Sequence, residues 1–131
     1  MAHGIEPSST NVPQPYGTPE ADLVVFAGTR ETGRRAARLN TLTNGTTVIG
    51  AGTVHDVREH GSIDAPRATF QLINDFGQAT YAAADTEVLT EYSMCLMDGV
   101  EVSVHGIARQ PFAEDPRTTY IQVTRVEPLF G

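Results

Sequence analysis

Residues 68–84 read ATFQLINDFGQATYAAA, and the fold is decided there. Phe70 and Leu72 alternate with Thr69, Gln71 and Ile73; Asn74-Asp75-Phe76-Gly77 interrupts the run; Ala79 and Tyr81 then alternate against Gln78, Thr80 and Ala82. Apolar residues at every second position mark strands, because successive side chains point to opposite faces of a sheet. Gly77 tolerates a positive φ and Asp75 can bond its own backbone, so the interruption reads as a tight hairpin. Continuing the alternation places Phe70, Leu72, Ala79 and Tyr81 in the core. That leaves Thr69, Gln71, Gln78 and Thr80 outside, and a register slip of one residue would turn Tyr81 outward instead.

Downstream the period changes. Val88, Leu89, Tyr92, Cys95 and Leu96 fall at helical spacing over 85–97, with Asp85 or Thr86 as N-cap and Glu87 complementing the helix dipole. Asp98-Gly99 ends that helix, Gly99 being suited to a left-handed cap. Val100, Val102 and Val104 then alternate as a fourth strand closed by Gly106, and a loop with two prolines covers 108–117. A fifth strand runs over 120–126, with Ile121 and Val123 inward and Tyr120, Gln122 and Thr124 outward.

Upstream, 46–58 (TTVIGAGTVHDVR) is a long strand with Gly50 and Gly52 at its middle, where a bulge, a bend or a close backbone approach is expected. Residues 59–67 form the loop to the hairpin. Asn44-Gly45 marks a two-residue turn, so Leu39 to Thr43 is expected to pair back on the long strand. Leu23-Val24-Val25-Phe26 is a short strand candidate closed by Gly28, and 30–40 reads as a helical turn or an irregular arm weakened by Gly33. Residues 1–20 hold four prolines among small polar residues and read as a flexible tail. The domain organisation is thus a tail over 1–20 and one domain over 21–131, with an extension over 21–45 and a core over 46–127.

Three strands, a helix and two strands, with FQLINDFG and DGVEVSVHG as the most specific pieces, resemble the OB-fold over residues 46–127. Within that superfamily the resemblance is strongest to single-stranded-DNA-binding and anticodon-binding domains. It implies a mainly β, five-stranded closed barrel with one helix between its third and fourth strands, plus an N-terminal β-extension. It also implies a ligand face on the second and third strands, bordered by the loops after the first and fourth.

Composition bounds the function. The chain has 131 residues, enough for one core without staples, and 40% of them are apolar. No apolar run approaches the ~20 residues of a membrane span. The first residues lack a basic end followed by an apolar block, and the lone Cys95 suits a reducing cytoplasm; the expectation is a cytoplasmic protein without a secretory signal. Sixteen acidic residues face nine basic ones, giving −7, and all nine bases are arginine. Such a balance opposes indiscriminate binding to a phosphate backbone. His3, His55, His60 and His105 match no metal-ligand spacing, and no nucleophile or phosphate-loop motif is present, so neither cofactor nor catalysis is expected.

The expected ligand is single-stranded nucleic acid, DNA before RNA. Arg58, Arg67, Arg109 and Arg117 would neutralise phosphates, Phe112 or Tyr120 would stack on bases, and Gln71 and Thr80 would bond base edges. Arg34, Arg35 and Arg38 lie in the most basic stretch and would clamp phosphates from an arm. The alternative is a protein-docking module, suggested by the acidity, a polar barrel face and the extra N-terminal hairpin. Leu23 to Phe26 would also offer a strand edge for a homo-oligomer.

Overall fold

The structure is a computed structural model that describes residues 23–28, 35–112, 114–115 and 118–129. The tail over 1–20, Arg30, Arg34 and Arg117 lie outside the described residues. The elements are β1 (Val24–Ala27), β2 (Arg35–Arg38), a short 3-10 turn (Leu39–Thr41), β3 (Thr47–Gly61), β4 (Pro66–Ile73), β5 (Ala79–Ala84), α1 (Thr86–Tyr92), β6 (Glu101–Arg109) and β7 (Tyr120–Pro128).

The β4–β5 hairpin closes on Asn74, not on Asp75. Asn74 Oδ1 accepts from the amides of Phe76 and Gln78, both at 3.0 Å, and Gly77 takes φ 79° to complete the turn. This closure sets Leu72 opposite Thr80 and Gln71 opposite Tyr81. Residues directly opposite in a sheet share a face, so Thr80 follows Leu72 into the core and Tyr81 follows Gln71 outward. Thr80 is 0% exposed, and the alternation expected for this strand is therefore inverted. Small residues suit the inner side of β5, since Ala82 lies opposite Phe70, the largest fully buried side chain.

β3 is shared between two neighbours. Thr47 to Thr53 pair with β6, and Thr53 to Gly61 pair with β4. The changeover comes at Thr53; at Gly52, just before it, a Cβ would sit 2.9 Å from the Ile73 carbonyl oxygen, so the close approach expected of the mid-strand glycines is real there. The bulge itself falls later, between His55 and Arg58, with Asp56 at φ 57°. Asp98 Oδ1 accepts from the Val57 amide at 3.2 Å, and Gly99 donates to the Val54 carbonyl at 2.8 Å, so the turn before β6 holds the bulge.

The sheet order β2-β1-β3-β4-β5-β7-β6 closes through β3–β6, with β5 and β7 parallel and every other pair antiparallel. Strands β3 to β7 thus form a five-stranded barrel with α1 between its third and fourth strands. This is the OB-fold, with β1 and β2 as an N-terminal β-extension. Asp85 caps α1, its Oδ1 accepting from the Val88 amide at 3.0 Å, and Val88 and Leu89 are buried. The helix stops at Tyr92, short of the expected 97; turns follow, yet Leu96 is still buried.

The extension departs from expectation. β2 pairs with β1 and β1 pairs with β3, whereas Leu39 to Thr41 form the 3-10 turn and no pairing joins 39–43 to β3. Leu23, Val25 and Leu39 are buried, and Leu23 and Val25 pack over Gly50 beside Ile121. β1 lies between β2 and β3 in the sheet order, and its pairing with β3 is confined to Phe26 and Ala27.

Candidate functional site

Strand pairing lays one row of residues across the outside of the barrel. His55 lies opposite Gln71, and Gln71 opposite Tyr81. Tyr81 and Tyr120 each stand one residue before the Ala82–Ile121 parallel pair, so the two tyrosines occupy neighbouring positions on β5 and β7. Tyr120 in turn lies opposite Arg109. The row His55, Gln71, Tyr81, Tyr120, Arg109 therefore crosses five strands on the side away from the core. Both tyrosines are half-buried, while Ala82 and Ile121 beside them are buried.

A second row runs beside it, with Arg58 opposite Thr69, Thr69 opposite Ala83, and Ala83 beside Gln122. Arg109 Nε donates to Gln122 Oε1 at 2.6 Å, which fixes the guanidinium plane and joins the rows at one end. At the other end Arg58 pairs with Asp56 at 3.1 Å; both side chains are exposed, so this pair is weak and the guanidinium is available to a phosphate. His60 lies opposite Arg67 where the β3–β4 ribbon nears its tip, and its Nε2 is 3.0 Å from Thr69 Oγ1.

Gln71, Arg58, Arg67, Arg109 and Tyr120 thus all stand on strands of the barrel's outer side, from β3 through β4, β5 and β7 to β6. Phe112 stands in the loop after β6, 48% exposed. Thr80 does not belong to the site: burial removes it from any ligand, and its Oγ1 has no hydrogen-bond partner. Arg35 and Arg38 are exposed on β2, beyond β1, which meets β3 at Val48 and Ile49 rather than in the Thr53–Gly61 half that carries Arg58. The structure does not bring these two to the rows.

Tyr81, His55 and Gln122 stand in the same two rows, and none of the three was among the residues expected to contact the ligand. Counting from the Asn74–Gln78 closure would have found Tyr81. No local signal marks Gln122, whose position comes from the parallel β5–β7 contact between strands that are distant in sequence.

Chemically the rows offer two neighbouring phenol rings, an amide beside the first ring, and guanidiniums further along them. That combination holds flat unsaturated rings and anionic groups. No group of three or more His, Cys, Asp or Glu that could hold a metal ion occurs among the described residues, and no helix among them is long and apolar enough to cross a membrane.

No family model matches this chain, and no curated protein matches it. Among solved structures, a chain from the crystal structure of yeast Stn1 and Ten1 superposes with a TM-score of 0.48 at 17% identity. The match covers 65% of this chain and 43% of that one, so this chain spans less than half the length of the protein it matches.

Proposed function

We propose that this OB-fold chain binds single-stranded nucleic acid, DNA in the first instance, without catalysing a reaction. The observation that carries the reading is the row of Gln71, Tyr81, Tyr120 and Arg109 across adjoining strands of the barrel. Unpaired bases stack on Tyr81 and Tyr120, Gln71 bonds a base edge, and Arg58, Arg67 and Arg109 take phosphates. Stacking on an aromatic is worth about 1–3 kcal/mol per base, which lets a net-acidic protein hold a strand once local guanidiniums offset the long-range repulsion. In duplex DNA the same base faces are covered, so the face discriminates single from double strands.

The test is titration of a fluorescein-labelled oligothymidylate of about 12 nucleotides at about 50 and about 200 mM salt. Saturable binding that weakens with salt supports the reading. No binding at the lower salt removes it. A matching oligouridylate reports the DNA–RNA preference.

One observation favours a second reading, protein docking: Val24 and Phe26, 46% and 52% exposed, stand on the outward side of β1, away from the rows. Under it, a stoichiometric partner co-purifies after nuclease treatment, is lost on Phe26→Glu, and the oligonucleotide does not bind. Light scattering reports self-association, which is compatible with either reading. The lone Cys95 is a free thiol, consistent with the proposed cytoplasmic location.

A further inference from the structure

We infer that the outer edge of β2 takes up an extended acidic segment of a partner protein, which adds to the seven-stranded sheet as a further strand. This goes beyond nucleic-acid binding at the two rows and names an occupant for the side that carries Val24 and Phe26. β2 ends the sheet order, and among the described residues β1 is its one neighbour. The Leu39 amide donates to the Leu23 carbonyl at 3.0 Å. Hydrogen-bonded pairs alternate along an antiparallel ladder, so Ala37 and Arg35 turn their backbone groups toward β1. Ala36 turns its N–H and C=O toward the open edge. Arg38 shares that orientation, but its carbonyl accepts from the Thr41 hydroxyl at 2.7 Å. An edge that offers both donor and acceptor matches another peptide backbone, whereas a phosphate chain supplies acceptors alone.

The side chains choose the partner. β2 reads Arg35-Ala36-Ala37-Arg38, with both arginines exposed. No carboxylate occurs over 23–28 or 35–55, although the whole chain carries −7. The edge is therefore a basic island on an acidic molecule. Ala36, Phe26 and Ile49 form one outward apolar row over β2, β1 and β3, while Ala37 lies opposite the buried Val25. A strand with apolar residues against Ala36 and Ala37 extends the sheet on both faces, and carboxylates at its two ends meet Arg35 and Arg38. The complement of β2 thus reads acidic, apolar, apolar, acidic.

A second copy of β2 is a poor occupant by the same reasoning. An antiparallel two-fold pairing of all four residues sets Arg35 against Arg38 of the other copy, twice. Like charges directly opposite destabilise a ladder.

A fluorescein-labelled octapeptide with Glu-Val-Val-Glu at its centre is titrated onto the full chain, with a Lys-Val-Val-Lys counterpart as control. Saturable binding of the first peptide and not of the second is expected. Arg35→Glu/Arg38→Glu weakens it roughly tenfold. Ala36→Pro removes the outward N–H at a position where edge strands accept proline, and weakens binding roughly fivefold while Tm holds. Amide exchange gives a reading on the unaltered chain: the peptide slows exchange at Ala36. No binding of the acidic peptide, equal binding of both peptides, full affinity in Ala36→Pro, or an Ala36 amide indifferent to peptide overturns the inference. So does displacement of the peptide by oligothymidylate, which assigns the edge to phosphates. A dimer in light scattering whose Ala36 amide is already protected assigns it to a second copy, and overturns it equally. Titration of oligothymidylate alone decides strand binding at the rows separately, so either reading can fail without the other.

Discussion

Gln71 and Tyr81 stand directly opposite each other on β4 and β5, both turned away from the core. An amide beside a phenol ring places a hydrogen-bonding group at the rim of a stacking surface, so a base resting on the ring presents its edge to the amide. Under the proposed function the ring dominates the affinity. Tyr81→Ala is expected to weaken oligonucleotide binding by about 1–3 kcal/mol, whereas Tyr81→Phe keeps most of it. Fluorescence anisotropy with both variants checks this, and a thermal melt shows whether the half-buried position leaves the fold intact. Equal binding by the alanine variant removes Tyr81 from the site.

Thr80 is the counterpart of Tyr81 on the inner side. Its hydroxyl is fully buried and its Oγ1 has no partner, and a polar group in that condition costs about 1–3 kcal/mol. Thr80→Val keeps the branched shape and removes the unpaired oxygen. It is expected to raise stability by about 1 kcal/mol, a few degrees in Tm, and to leave strand binding unchanged. Loss of binding in this variant would return Thr80 to the ligand face.

These two residues also mark where the sequence was legible and where it was not. The hairpin, the helix after it, the barrel order and the inward set Phe70, Leu72, Val102, Val104, Ile121 and Val123 follow from period-two and helical spacing, which is local information. The phase of β5 does not follow from its own residues, because Ala79, Ala82 and Tyr81 are all compatible with either side. It is fixed by Asn74, whose side chain closes the turn and so sets which residue meets Leu72. The N-terminal partner of β3 was misread for a related reason. The Asn44-Gly45 turn was taken to join neighbouring strands, whereas long-range pairing with β3 went to Phe26 and Ala27.

Gly52 stands next to Thr53, where β3 passes from one partner to the other. A methyl group on Gly52 would press on the Ile73 backbone at 2.9–3.1 Å, and backbone cannot rotate away as a side chain can. Gly52→Ala is expected to destabilise the barrel by about 1–3 kcal/mol, the range for overpacking, although alanine is the better strand residue on propensity alone. Urea unfolding gives the sign directly. A neutral outcome means that the β3–β4 crossing has slack.

Arg109 carries the far end of the row. Its Nε is held by Gln122 Oε1, which leaves the terminal nitrogens to a phosphate in a fixed orientation. Arg109→Ala is expected to reduce the slope of log affinity against log salt by about 0.7, the value of one phosphate contact on a single strand. Arg109→Lys keeps the charge but loses the anchored plane, so it keeps the slope and lowers the affinity. An unchanged slope in the alanine variant places the phosphate path elsewhere.

Asp98 links the turn before β6 to the bulge in β3, beside the proposed ligand residues. Its Oδ1 accepts the Val57 amide inside the β3 bulge, one residue from Arg58 and two from His55. The bulge shifts the pairing register between those two residues, so the spacing of their side chains along the face depends on it. Asp56 occupies a left-handed conformation in the bulge, which costs a non-glycine residue about 1 kcal/mol or more and persists only while its surroundings enforce it. Asp98→Ala removes that enforcement, and the expected loss is about 1 kcal/mol of stability together with weaker strand binding, although Asp98 is not one of the groups assigned to the ligand. Asp98→Asn keeps a carbonyl oxygen to accept the amide and is expected to restore both. The conservative variant separates positioning from charge: removing a carboxylate should itself help a phosphate bind, so if the asparagine variant binds a strand while the alanine variant does not, the bulge and not the charge governs the face.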